Sequence, residues 1–189
     1  MPDVIMLRHC ESAGWESDSP LTSRGYEQAA GLVDVLQEMS VDYVASSPFR
    51  RAYESIAPFA ESQNLEIHID DRLAERTRSD EPLEDWEGWV RQSFMDIDFR
   101  APGGESGREV ARRGLIALSE ALESDYKLPL LSTHGQLMSF LANSFDPDFD
   151  YEHSSAMDYP ALMRFSRKNG VITYEAEYLK GTFPATEAL

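Results

Sequence analysis

Three places in this chain set chemistry-bearing side chains directly after short apolar segments. Arg8-His9 follows one, Ser46-Ser47-Pro48 with Arg50-Arg51 follows a second, and Ser132-Thr133-His134-Gly135 follows a third. A neutral imidazole is a good nucleophile near pH 7, and its N-phosphoryl adduct can pass the group on to water. A migrating phosphoryl group spreads negative charge over its equatorial oxygens. Guanidinium forks match those oxygens in pairs, and preorganised donors count most where charge develops. An alkoxide leaving group also needs a proton, so a carboxylic acid is expected nearby. His9, Cys10 and Glu11 make a poor metal-ligand group, because adjacent residues of an extended strand point to opposite faces.

The elements that must position these residues alternate between strand and helix. This predicts an α/β fold with a mainly parallel sheet flanked by helices on both faces. Asp3 to Leu7, Val41 to Ala45, Leu65 to Ile69 and Leu128 to Leu131 read as strands. Thr22 is placed to cap a helix with Tyr26, Ala29, Ala30, Val33 and Leu36 on one stripe. Pro48 suits the first turn of a second helix, whose buried face is Phe49, Ala52, Tyr53, Ile56 and Phe59. Ser106 is placed to cap a third, with Ala111, Leu115, Leu118 and Leu122 inward. A short helix after His134 turns Leu137, Met138 and Leu141 inward. Ala161 to Arg167 and Val171 to Tyr178 flank Asn169-Gly170, a signal for a type I′ hairpin at the C-terminus. Residues 76–105 fit the alternation least and read as a small helical cap excursion covering the sheet's edge, within a single domain over residues 1–189. In a parallel sheet, Arg8-His9, Ser47 and His134 all emerge at carboxyl ends of strands, where open α/β sheets bind ligands.

Composition narrows the partners. The 189 residues carry a formal net charge of −17 and a single cysteine, Cys10. Such a surface repels nucleic acid and anionic lipid heads, so neither is an expected partner. One cysteine excludes an internal disulfide framework and suits a reducing compartment. With no signal-peptide pattern at the start and no bilayer-length apolar run, the expectation is a cytoplasmic protein without a membrane partner. The substrate is expected to be small and phosphorylated, with positive charge gathered locally by Arg8, Arg50, Arg51, Arg76 and Arg78. The oligomeric state is not written in the sequence.

The ordered motifs resemble the histidine phosphatase superfamily. Leu7-Arg8-His9-Cys10-Glu11-Ser12 is similar to its R-H-G-E-S signature. Leu21-Thr22, Gly25 and Gln28-Ala29 resemble L-T-x-x-G-x-x-Q-A, and Ser46 to Ala52 resembles S-S-P-L-x-R-A. Leu73-Ala74-Glu75 resembles L-x-E, Trp86-Glu87-Gly88 resembles W-E-G, Gly103 to Ser106 resembles G-G-E-S, and Ser132 to Gly135 resembles S-H-G. The resemblance implies that His9 is the nucleophile and that Arg8, Arg51 and His134 hold the phosphoryl oxygens, with Ser12 and Gly135 also at the substrate. It implies that Glu75 protonates the leaving oxygen and then activates water, and it implies no metal and no organic cofactor.

The departures shape the expected activity. Cys10 replaces the family's glycine. Either the position needs a left-handed backbone that strains a cysteine, or a small side chain fits and an oxidisable thiol stands beside the nucleophile. The asparagine and the glycine- and tryptophan-containing loop of the family's phosphoglycerate mutases are missing, which favours a phosphomonoesterase. A mutase and a phosphate-binding regulatory protein without turnover are the alternatives. Bland readings stand beside the catalytic ones. Glu75 can pair with Arg72 or Arg76, and Glu87 is a second candidate acid. Arg50 and Arg51 at a helix start oppose the macrodipole, which suggests a use for at least one of them. Arg76 and Arg78 serve equally well as surface charges or substrate contacts. His68 and His153 read as surface residues.

Overall fold

The computed structural model describes residues 2–80 and 84–177. Tyr178, placed at the end of the hairpin by the sequence pattern, lies outside them. The strands are β1 (Val4–Arg8), β2 (Tyr43–Ser46), β3 (Ile67–Ile69), β4 (Pro129–Thr133), β5 (Ala161–Lys168) and β6 (Val171–Glu177). The helices are α1 (Ser23–Met39), α2 (Arg50–Gln63), α3 (Trp86–Met95), α4 (Gly107–Leu122), α5 (Gly135–Phe145) and α6 (Tyr151–Ser155). One mixed sheet runs in the order β3-β2-β4-β1-β5-β6. The first four strands in that order are parallel and the last two antiparallel.

The period-two alternation of the central strands divides the core into two layers. Ile5, Leu7, Val44 and Leu130 face α1 and α2, where Leu32, Leu36, Ile56 and Phe59 complete one apolar cluster. Val4, Met6, Ala45 and Leu131 face the other way, onto Val110, Leu118, Leu137, Phe140 and Leu141 of α4 and α5. Being buried on both faces is what makes these strands continuous apolar runs.

Thr22 caps α1 by accepting the Gly25 amide, and Ser106 and Glu109 form a reciprocal capping box on α4. At the hairpin, Asn169 and Gly170 both take positive φ (53° and 81°), as a type I′ turn requires. Several expected positions are corrected. Tyr26, Ala30 and Tyr53 lie outside the buried stripes, which run Gly25, Gln28, Ala29, Leu32, Leu36 on α1 and Arg51, Ala52, Ser55, Ile56, Phe59, Ala60 on α2. Both stripes admit polar residues because these reach strand ends and loops, which apolar periodicity does not report. Pro48 lies before α2, whose N-cap is Phe49. The described residues of the excursion pack against helices. Phe94 of α3 stacks on Phe140 of α5 at 4.6 Å, and Arg91 pairs with Glu152 of α6.

Gly25 sits where α1 meets the loop after β1. A Cβ there would lie 2.0 Å from the Glu11 carbonyl oxygen, which already accepts the Thr22 amide at 3.0 Å. Helix propensity alone favours alanine over glycine by about 1 kcal/mol. The backbone clash outweighs it, so Gly25→Ala is expected to destabilise the fold by about 1–3 kcal/mol, read as a lower urea midpoint. A midpoint at or above wild type would mean that this close approach does not constrain the fold.

Candidate active site

Three strand ends stop within one residue of one another. β1 and β4 run in register up to Arg8 opposite Thr133, and β2 and β4 up to Ser46 opposite Ser132. The ladders continue one step further, with the His9 amide donating to the Thr133 carbonyl at 3.0 Å and the Ser47 amide to the Ser132 carbonyl at 2.9 Å. His9 and His134 therefore leave the sheet at the same height, with Ser47 one residue below, level with Thr133.

Alternation decides which side each residue serves. Leu7 faces α1 and α2, so His9 does too, and there it meets Arg51 of α2: the Arg51 Nε–H donates to His9 Nε2 at 3.1 Å. The His9 Nδ1 lies 2.7 Å from the Cys10 carbonyl. Burial lowers the His9 pKa to about 3, with Arg51 and Arg8 adding in the same direction against the carbonyl hydrogen bond. His134 packs edge-on to His9 with ring centroids 5.1 Å apart. Its Nε2 is 2.7 Å from Ser47 Oγ, which also accepts the Phe49 amide. Complete burial, helped by the nearby cations, pushes its pKa well below the usual histidine value. Both rings are neutral at pH 7.

Arg8 lies on the α4 and α5 side. Its guanidinium carbon is 3.6 Å from the Tyr159 ring centroid, and an Nη1–H donates to the Met157 carbonyl. Gly135 allows this approach, since a Cβ there would stand 3.1 Å from the guanidinium. Among buried side-chain polar atoms of the described residues, Arg8 Nε and His134 Nδ1 are without a hydrogen-bond partner. Arg51 is anchored by Nη1 on the Trp15 and Glu16 carbonyls, and burial pulls its guanidinium below its usual range.

Glu75 follows a 3-10 turn (Asp71–Leu73) and sits over the first turn of α5. Its carboxylate accepts from the amides of Arg76, Gln136 and Leu137 at 2.9, 3.3 and 3.2 Å. The expected alternative partners are engaged elsewhere: Arg72 with Asp70 and Glu120, Arg76 with the Glu105 and Phe99 carbonyls and Gln136. Glu87 is exposed on α3, close enough to act on Arg91 and so turned toward α6. Ser12 turns its hydroxyl to the Gly14 carbonyl and pairs through its backbone with Leu21, which places it in the frame of the nucleophile loop.

Arg50 is exposed and paired with Glu54. Arg76 is buried and so is not a surface charge, because carbonyls of the excursion meet its guanidinium. Arg78 lies 4.8 Å from the Trp86 ring. With Arg76, Trp86, Trp89, Val90 and Ala101 it lines a small cleft. His68 is exposed, stacked on Tyr43, and His153 is exposed beside Asp150.

Cys10 corrects two expectations. Its φ is not positive, so no strain arises, and its amide donates to Ser55 Oγ at 2.8 Å. The side chain is fully buried in the α1–α2 core, and burial pushes the thiol up to about 12, so it is not a reactive thiolate. Two residues at the site carried no sequence expectation of their own. Tyr159 precedes β5, and its only signal is that Asp-Tyr-Pro enters a strand. Gln28, known only as a motif letter, accepts the Glu11 amide and donates to the Tyr159 carbonyl at 2.6 Å, joining the loop after β1 to the loop before β5.

Comparison with known proteins agrees with this geometry. The sequence pattern of the histidine phosphatase superfamily (branch 1) matches residues 4–175. A probable phosphoglycerate mutase, GpmB, of Salmonella choleraesuis (strain SC-B67) is 32% identical over 161 residues, 76% of this chain and 74% of that one. A mycobacterial glucosyl-3-phosphoglycerate phosphatase shares the fold with a TM-score of 0.76 at 22% identity, covering 94% of this chain and 97% of its own. So does a putative α-ribazole-5′-P phosphatase from Escherichia coli K-12, with a TM-score of 0.69 at 24% identity, covering 93% and 95%. With two buried imidazoles at the strand ends, the Arg8 and Arg51 guanidiniums beside them, and a family match over residues 4–175, the chain belongs to the histidine phosphatase superfamily.

Proposed function

We propose that this protein hydrolyses phosphomonoesters through a phosphohistidine on His9 Nε2. The observation that carries the reading is a fixed lone pair ringed by unused donors. The Cys10 carbonyl can only accept, so His9 Nδ1 holds the ring proton and Nε2 the lone pair. In this reading the Ser47 hydroxyl, 2.7 Å from His134 Nε2, donates to it and leaves the His134 ring proton on Nδ1. Arg8 Nε–H and His134 Nδ1–H are then buried donors awaiting acceptors, a pattern suited to an anion.

In the proposed reaction the Arg51 fork turns from His9 onto the phosphoryl oxygens and frees Nε2. Nε2 attacks phosphorus in line while the bond to the leaving oxygen breaks. Arg8, Arg51 and His134 take up the equatorial charge. Glu75, protonated when substrate is bound, gives that proton to the leaving oxygen; as the carboxylate it then takes one from the water that attacks phosphohistidine, and cleavage of the P–N bond releases phosphate and restores His9 and Glu75 to their starting forms. These residues fill every role without a metal ion. The leaving group would extend toward the cleft of Trp86 and Trp89. A mutase reading is favoured by one observation, the description of the Salmonella relative. The missing asparagine and short loop after Ser12 weigh toward hydrolysis.

The direct test is p-nitrophenyl phosphate hydrolysis with EDTA present. Turnover is expected in wild type and is expected to vanish in His9→Ala; turnover that survives in the variant would remove His9 from the nucleophile's role. Glu75→Gln is expected to slow an alkyl phosphate about 10²–10⁴-fold and p-nitrophenyl phosphate much less, because a good leaving group needs little acid. Equal losses on both substrates would take the proton-donor role from Glu75. Conversion of 3- to 2-phosphoglycerate outpacing hydrolysis would favour the mutase.

Stability should also report the buried imidazole. The unfolded chain binds a proton at His9 below about pH 6.5, the folded chain only below about 3. Unfolding therefore takes up a proton between these values, and the contribution of His9 to stability falls as pH drops through that window. The slope is at most about 1.4 kcal/mol per pH unit for one site. His9→Asn is expected to lose less stability than wild type between pH 7 and pH 5, measured by urea denaturation. Parallel losses would show that His9 is not held neutral by the fold.

A further inference from the structure

Among the described residues, no carboxylate pairs with Arg8. Its guanidinium lies on the Tyr159 ring at 3.6 Å, against the Gly135 backbone, with one Nη1–H on the Met157 carbonyl and its Nε–H unpaired. An ion pair would hold the fork equally still, but the carboxylate would compete with an incoming phosphoryl dianion. An aromatic face and a carbonyl hold the cation and leave its charge unneutralised. The ring is itself secured from behind: the Tyr159 carbonyl accepts from Gln28, whose oxygen accepts the Glu11 amide two residues beyond the nucleophile. The same ring flanks His9, with centroids 5.3 Å apart.

From this arrangement we infer that Tyr159 is a positioning residue, whose ring holds the Arg8 guanidinium so that Nε–H faces the phosphoryl site. The inference rests on the proposed phosphate chemistry at His9. It assigns to the ring, and not to the hydroxyl, the task of setting anion affinity through Arg8. About two-fifths of Tyr159 is exposed, so the residue stands at the mouth of the site and is not part of the central core.

The experiment measures inorganic phosphate and orthovanadate affinity by calorimetry, at a temperature where every variant is folded. It compares Tyr159→Phe and Tyr159→Leu in the wild-type and Arg8→Lys backgrounds. Tyr159→Phe is expected to bind within about twofold of wild type, and Tyr159→Leu about tenfold more weakly, within the range of a desolvated cation–π contact. In the Arg8→Lys background the leucine substitution is expected to cost much less, because the group it positions is already altered. A purely structural role would lower the thermal midpoint of Tyr159→Leu while leaving the affinity unchanged, and that outcome overturns the inference. Equal weakening in Phe and Leu would move the role to the hydroxyl and overturn it too, as would a leucine penalty undiminished beside Arg8→Lys. Wild type that binds neither anion would instead overturn the phosphate reading itself, a failure distinct from the others.

Discussion

The site depends on a register. β1, β2 and β4 are locked by parallel ladders that end within one residue of each other, and the last bonds run from the His9 and Ser47 amides to the Thr133 and Ser132 carbonyls. A one-residue slip in any of these strands would turn its alternate side chains to the opposite face. His9 would then face α5 instead of Arg51, and Arg8 would face α2. The apolar clusters on either side of the sheet forbid such a slip, because every central strand residue would exchange environments. Packing thus fixes the geometry at the strand ends.

The electrostatics follow from the same burial. In a chain with a net charge of −17, two arginines stand over two imidazoles at a place where no carboxylate pairs with them directly. Burial and the neighbouring cations act together on each ring to keep it neutral, so the lone pair persists into acid. The arginines retain unspent donors. Glu75 is occupied by the amides of Arg76, Gln136 and Leu137, which restrains it from collapsing onto a guanidinium.

Much of this was legible from residue type and order. The strand-end placement of His9, Ser47 and His134 follows from apolar runs that stop at polar words, and the caps at Thr22 and Ser106 follow from side-chain chemistry. What periodicity could not report were polar residues on buried stripes. Gln28 and Arg51 break the apolar pattern of their helices because they reach the loops, and Tyr26 and Tyr53 were misplaced in consequence. Arg76 read as a charge in an acidic excursion. Its burial depends on carbonyls of Phe99 and Glu105, more than twenty residues away, which no local pattern reveals. Tyr159 was invisible for the same reason, since its importance lies in β5 pairing with β1 and carrying the preceding loop to Arg8.

Cys10 shows how the frame absorbs a departure from the family's glycine. The backbone there is not left-handed, so a Cβ brings no conformational penalty. The thiol faces the α1–α2 core with Ile5 and Leu7 neighbours in the same cluster, and the freed amide is met by Ser55, whose hydroxyl donates in turn to the Arg51 carbonyl. One serine therefore ties the residue after His9 to the backbone of the arginine that contacts it. Cys10 extends the hydrophobic core up to the edge of the site, so its thiol is spent on packing.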